Sequence, residues 1–170
     1  MREAMGGTWL FGIVALFIVL FSGFMAYSIS YTKAFKTKNE ILNYIEQAEG
    51  FTTSAVIDNI PVDRLTAEQL ENSNAVDAKV YKLIRDYGYN SSVRSCDEYG
   101  DYQYGGYCIK KECLNDLDDM YSSPKVVYKV TTFISLNIPV INVTIKLPIT
   151  GETKTMYYDN DNSIAPYCTK

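Results

Sequence analysis

The most reactive side chains in this chain are four thiols: Cys96, Cys108, Cys113 and Cys168. Eleven, four and fifty-four residues lie between successive cysteines. A zinc site favours closely paired C-x-x-C ligands, which these spacings do not provide. An even number of cysteines in a small domain reads instead as two disulfides in an oxidising compartment. Free buried thiols in a cytoplasmic domain are the alternative. Three pairings are possible. The favoured one joins Cys96 to Cys108 across a hairpin and Cys113 to Cys168, tying down the C-terminus. Closing a loop of that second length constrains the unfolded chain by about 4 kcal/mol in the entropy model.

The 170 residues include no histidine. This removes the usual general base at neutral pH and the commonest metal ligand. There is no G-x-S-x-G elbow and no phosphate-binding glycine loop. Acid–base work by two carboxylates is the one catalytic route that the residue types leave open. The expectation is a non-enzymatic protein with no cofactor and no metal.

Three segments look functional. Residues 147–151 read LPITG, the sortase attachment pattern. A sorting signal also needs an apolar span and a basic tail. Here nineteen mostly polar residues follow, so the segment is expected to form a hairpin turn. Residues 159–163 read DNDNS, like the start of a calcium loop. The sixth and twelfth positions, glycine and glutamate in an EF-hand, hold Ile164 and Lys170. An exposed acidic turn is expected there, and a solvated cluster at Asp116, Asp118 and Asp119. The third segment, residues 97–106, reads DEYGDYQYGG. Tyr99, Tyr102, Tyr104 and the following Tyr107 suggest a binding surface, because tyrosine offers large contact area at low entropy cost. The competing expectation is that alternate tyrosines pack on the sheet or on a helix. Sequons at Asn90-Ser91-Ser92 and Asn142-Val143-Thr144 are common by chance and decide nothing.

The element that must carry all this is at the N-terminus. Residues 9–27 read WLFGIVALFIVLFSGFMAY, without a charge. Eleven of the nineteen are Leu, Ile, Val or Phe. They favour insertion by roughly 3–6 kcal/mol, and about 20 such residues cross a hydrocarbon core. A cleaved signal is the alternative. The n-region holds only Arg2, offset by Glu3, and the uncharged stretch runs from Ala4 to Thr32. That is longer than a typical signal core, so a retained anchor over residues 1–32 is expected.

Beyond the span, Ala34, Ile41, Ile45 and Ala48 keep helical spacing, with Phe35 and Leu42 beside them. One unbroken helix should therefore continue through residues 33–50, capped at Gly50. Residues 51–170 then form one small domain with 12 basic and 16 acidic residues. It shows no basic patch that would suit nucleic acid. Residues 51–64 read as loop or short strands. Thr66 to Gln69 fits a capping box before a short helix. A better helix runs over residues 74–87, with Val76, Val80, Leu83, Ile84 and Tyr87 on one face and Gly88 ending it. Strands are expected at 93–96, 107–111, 126–136, 140–147 and 154–158, with a break at Pro139 and a turn at 150–152. The fold class is α+β: a long N-terminal helix forming the spine of a small domain with one or two short helices and a 4-5-stranded antiparallel sheet.

This plan resembles the pilin and pseudopilin architecture of bacteria. There a long N-terminal helix anchors the subunit and its outer half supports a small sheet, often with a disulfide-closed loop near the C-terminus. The nearest likeness is to membrane-anchored, pilin-like proteins of the tight-adherence type, found beside secretion machinery in Gram-positive bacteria. The resemblance implies a minor subunit or accessory of a pilus or secretion apparatus, with membrane lipid and similar subunits as partners of the helix. The chain departs from a prepilin at one position. Gly6 and Gly7 precede the apolar run, but the fifth residue after Gly7 is Gly12 where a prepilin has glutamate.

Orientation draws on two signals. Lys33, Lys36 and Lys38 flank the span on its C-terminal side and favour a cytoplasmic domain by the positive-inside rule. The cysteines favour the opposite side. The expectation is a single-pass protein with its domain extracytoplasmic. A tethered adhesion module using the tyrosine loop is a second reading, and an inward-facing regulator a third.

Overall fold

A computed structural model of the chain describes residues 2–57, 59–91, 93–114, 125–138 and 143–157. The fold is α+β, and its longest element is the helix α1 (Arg2–Gln47) of 46 residues. At 1.5 Å per residue α1 is about 69 Å long. Its two halves live in different surroundings. In the first, Trp9 (76% exposed), Phe11, Phe17, Leu20 and Phe24 lie open on all sides. By length and composition this part can cross a membrane, and none of its most apolar stretch is buried by the rest of the chain. A core helix of a globular domain would instead bury an apolar stripe. Within it the Ser22 hydroxyl donates to the Ile18 carbonyl, and that of Thr32 to Ser28 at 2.8 Å. These polar groups are thus satisfied inside the helix, as a lipid environment demands.

In the second half Ala34, Thr37, Ile41 and Ile45 are buried at intervals of three and four, with Lys38 next to Thr37, which puts them on one face. Ala48 is exposed rather than part of that face. The helix ends at Gln47 because Glu49 turns left-handed (φ 51°). The Gly50 amide then donates back to the Ile45 carbonyl at 3.0 Å. The expected terminus at Gly50 is therefore displaced: Glu49, and not the glycine, takes the left-handed position of the cap.

Residues 51–64 are not strands. They hold the short helix α2 (Ser54–Ile57) and a 3-10 turn (Val62–Arg64). The capping box is present ahead of α3 (Ala67–Asn72): Thr66 Oγ1 accepts from the Gln69 amide, and the Thr66 amide donates to Gln69 Oε1 at 3.0 Å. Helix α4 (Val76–Tyr87) starts after an extended Ala75 and ends at left-handed Gly88 (φ 58°). Val76, Val80 and Ile84 are buried, whereas Tyr87 is exposed.

Among the described residues five strands form one antiparallel sheet: β1 (Asp101–Gln103), β2 (Tyr107–Cys113), β3 (Lys125–Ile138), β4 (Val143–Glu152) and β5 (Met156–Tyr157). Their order is β1-β2-β3-β4, with β5 pairing the start of β3. Thr153 bridges the break between β4 and β5. Its amide donates to the Tyr128 carbonyl and its hydroxyl accepts from the Tyr128 amide, both at 3.0 Å. The central strand turns Val126, Tyr128, Val130 and Ile134 into the main core, where Ile41, Ile45, Val76, Val80, Ile84, Tyr107 and Ile109 meet them. Thr132 Oγ1 ties the sheet to α1 by donating to the Ala34 carbonyl at 3.1 Å.

Two sheet expectations are corrected. Residues 93–96 are irregular, and the partner of β2 is instead β1, inside the tyrosine segment. Residues 150–152 are strand, with Thr150 opposite Thr131 and Gly151 opposite Val130. A Cβ at Gly151 would lie 2.9 Å from Leu42 Cδ1 and 3.0 Å from the Lys38 side chain. That glycine admits α1 against the sheet; it does not make a turn. LPITG is accordingly part of an edge strand, with Pro148 opposite Phe133. An edge position is where a strand tolerates proline.

Candidate functional site

The tyrosine segment is divided by strand alternation. Tyr107 points to the helix side of the sheet and is 0% exposed, so it belongs to the core and not to a binding surface. Tyr99 is half-buried and meets Phe133 edge-on at 5.8 Å. Tyr102 and Tyr104 are exposed, and Tyr104 packs edge-on against Tyr81 at 6.0 Å. Two of the four expected contact residues therefore lie at the surface.

Cys108 alternates to the other face and bonds Cys96, with Cα atoms 5.8 Å apart. The pair is buried with Val93 and Phe133. Because residues 93–96 are not a strand, this bond pins an irregular segment to β2 rather than bridging two strands. Cys113 is also disulfide-bonded. Its expected partner Cys168 lies outside the described residues, as do Asp116, Asp118, Asp119 and residues 159–163. Among the described residues, no group of three or more candidate ligands is placed to hold a metal ion.

Two polar clusters went unsignalled in the sequence. Gly88 closes α4 and turns the chain so that Tyr89 enters the core. The Tyr89 hydroxyl accepts from the Phe133 amide at 2.9 Å and donates to the Gly106 carbonyl at 3.0 Å. It thereby extends the β2–β3 pairing past the start of β2. Burial pushes this phenol up from its ordinary pKa. In the second cluster the Asp77 carboxylate accepts from the Ser54 amide at 2.7 Å and from the Ser54 hydroxyl at 3.1 Å. The Val76 amide donates to Thr52 Oγ1 at 3.2 Å. The loop after α1 is locked onto the first turn of α4 this way. Burial, with Asp77 nearby, raises the Tyr107 phenol well above its usual range. The hydroxyl of Tyr107 has no hydrogen-bond partner among the described residues. A pair of polar residues around a 3.6-residue helix start carries no periodic signal, so neither cluster was legible in sequence.

The flanking lysines are used by the domain. Lys33 Nζ donates to the Gly88 carbonyl at 3.3 Å, placing positive charge at the C-terminal end of α4. Lys38 is 9% exposed, with its ammonium 4.6 Å from the centre of the Phe35 ring. Lys36 is exposed. A cavity of about 130 Å³ lies beside Lys33, between Ile29 and Ser30 of α1 and Phe133 and Ser135 of β3.

No protein-family model, curated protein or solved structure matches the chain.

Proposed function

We propose that this chain is a single-pass membrane protein whose one long helix is both anchor and structural spine, and that its domain works by association and not by catalysis. The observation that carries this reading is the change of surroundings along α1. From Trp9 to Ile29 it is apolar and exposed, while the second half buries Ala34, Ile41 and Ile45 in the domain core. Exposing so many large apolar side chains to water is unfavourable by about 25 cal/mol per Å², so a bilayer is the fitting environment. The disulfides support an extracytoplasmic domain. The lysine flank is weaker counter-evidence than its sequence suggests, since Lys33 and Lys38 have structural work within the domain.

The finer reading is a pilin-like accessory of a pilus or secretion apparatus, associating through α1. The helix-on-sheet plan supports it, as does the continuous spine. Membrane fractionation followed by thiol labelling of intact, reduced cells tests the reading. Labelled cysteines in a membrane-retained protein are expected. A protein released by alkaline carbonate, or one labelled only after lysis, refutes it. The second reading, an adhesion module, rests on exposed Tyr102 and Tyr104. Replacing both with serine should then abolish ligand or cell attachment while leaving apparatus assembly intact.

A further inference from the structure

Lys33 is the first charged residue after Glu3 along α1, and the next acidic one is Glu40. From Trp9 to Ser30 is twenty-one residues, about 32 Å along the helix, which matches one hydrocarbon thickness. Tyr27 and Tyr31, with ring centres 6.2 Å apart, lie at the same end and suit an interfacial aromatic belt. Lys33 follows Ser30 by about 4.5 Å of helix rise. In a bilayer crossed by α1 its ammonium therefore sits at headgroup level.

The cavity of about 130 Å³ lies at this level. Its wall includes Ile29, Ser30 and Lys33 of α1, Asn90 just after α4, and Phe133 and Ser135 of β3. The volume is several times what one water needs, so a phosphate fits. Lys33 Nζ is held at the wall by its bond to the Gly88 carbonyl at 3.3 Å. That bond offsets the partial negative charge at the end of α4. It uses one of the three ammonium donors and leaves two. Among the described residues no aspartate or glutamate lines the cavity. Nothing there would partner a cationic headgroup such as choline.

We infer that this cavity takes the phosphate of an anionic phospholipid headgroup, with Lys33 as counter-charge and Ser30 and Asn90 as hydrogen-bond donors. The inference rests on the membrane-anchor reading of α1. A phosphate diester only accepts hydrogen bonds, and ammonium, hydroxyl and carboxamide groups supply donors. Lipid, not free phosphate, is the occupant because Ile29 and Ser30 stand where the apolar run ends. The acyl chains can then lie along the exposed, apolar part of α1 while the phosphate stays beside Lys33. The wall comes from α1, from the turn after α4 and from β3, so a bound lipid ties the domain to the bilayer surface at a fixed depth.

The full chain is reconstituted in vesicles of equal phosphatidylglycerol and phosphatidylcholine and extracted in mild detergent, and native mass spectrometry then weighs the retained lipid. Phosphatidylglycerol retained several-fold over phosphatidylcholine is expected. Lys33→Gln removes the charge, and Ser30→Phe fills the cavity with every charge kept; each should bring the ratio near parity. Lys36→Gln, an equal loss of charge at an exposed position, should leave most of the preference. Equal losses in Lys33→Gln and Lys36→Gln, or an undiminished ratio in Ser30→Phe, overturn the site in favour of diffuse surface attraction. Displacement by inorganic phosphate beyond that by sodium chloride of equal ionic strength overturns the lipid assignment. No preference in an unaltered chain that resists alkaline carbonate overturns the site and leaves the anchor standing. Release by carbonate overturns both.

Discussion

Two buried tyrosines should respond in opposite ways to loss of a single oxygen. In Tyr89→Phe the Phe133 amide and the Gly106 carbonyl both lose their partner, at 2.9 and 3.0 Å respectively. Each buried polar group left unsatisfied costs about 1–3 kcal/mol. The two together place the loss at roughly 2–6 kcal/mol. In Tyr107→Phe the deleted hydroxyl has no partner among the described residues, and its removal relieves a burial cost. That variant should be neutral or up to about 1 kcal/mol more stable. Denaturant unfolding of the full chain in mild detergent, followed by near-ultraviolet circular dichroism, reads both. The midpoint should fall for Tyr89→Phe and hold or rise for Tyr107→Phe with unchanged slope. Equal destabilisation by the two substitutions would refute the assignment of Tyr89 as a bridge and of Tyr107 as an unpaired phenol.

The same phenols set an alkaline limit. Both have pKa values raised in the fold, so their stabilising contribution is complete below the unfolded value of about 10 and is lost as pH climbs past it. Stability should be flat to about pH 10 and then fall, less steeply in Tyr107→Phe; a fall beginning near neutrality would contradict this. Asp77→Ala frees the Ser54 amide and hydroxyl from their shared carboxylate and should cost about 2–4 kcal/mol, with faster amide exchange at Ser54. Replacing both Cys96 and Cys108 by alanine opens a loop of sequence separation 12 and should cost about 3 kcal/mol, seen as a lower melting temperature. Gly88→Ala forces a side chain into a left-handed turn and should cost about 1 kcal/mol, checked by the same melt.

The long helix, the capping box at Thr66, the helix ending at Gly88 and the antiparallel sheet were all legible in sequence. Each depends on a local rule: an uncharged run of membrane length, a side chain bonding three residues on, a residue tolerating positive φ, alternating β-branched residues. The Cys96–Cys108 pair was also legible, although the hairpin invoked for it was not the one formed. The misread segments have a common origin. Gly151 looks like a turn residue until α1 is seen to cross it within 3.0 Å. Tyr107 looks like its loop neighbours until strand parity sends it inward, away from Tyr102 and Tyr104.

Local chemistry along the chain thus settles that this protein has an apolar helix of membrane length, continuing as an amphipathic one, ahead of a small disulfide-bearing α+β domain. Which tyrosines face solvent and which lysines are tied up depend on packing between residues far apart in the chain, such as Ala34 with Thr132, 98 positions on. Periodicity reports which face of an element is buried. It carries no information on what another element brings to that face, and that is why only the assembled fold decides them.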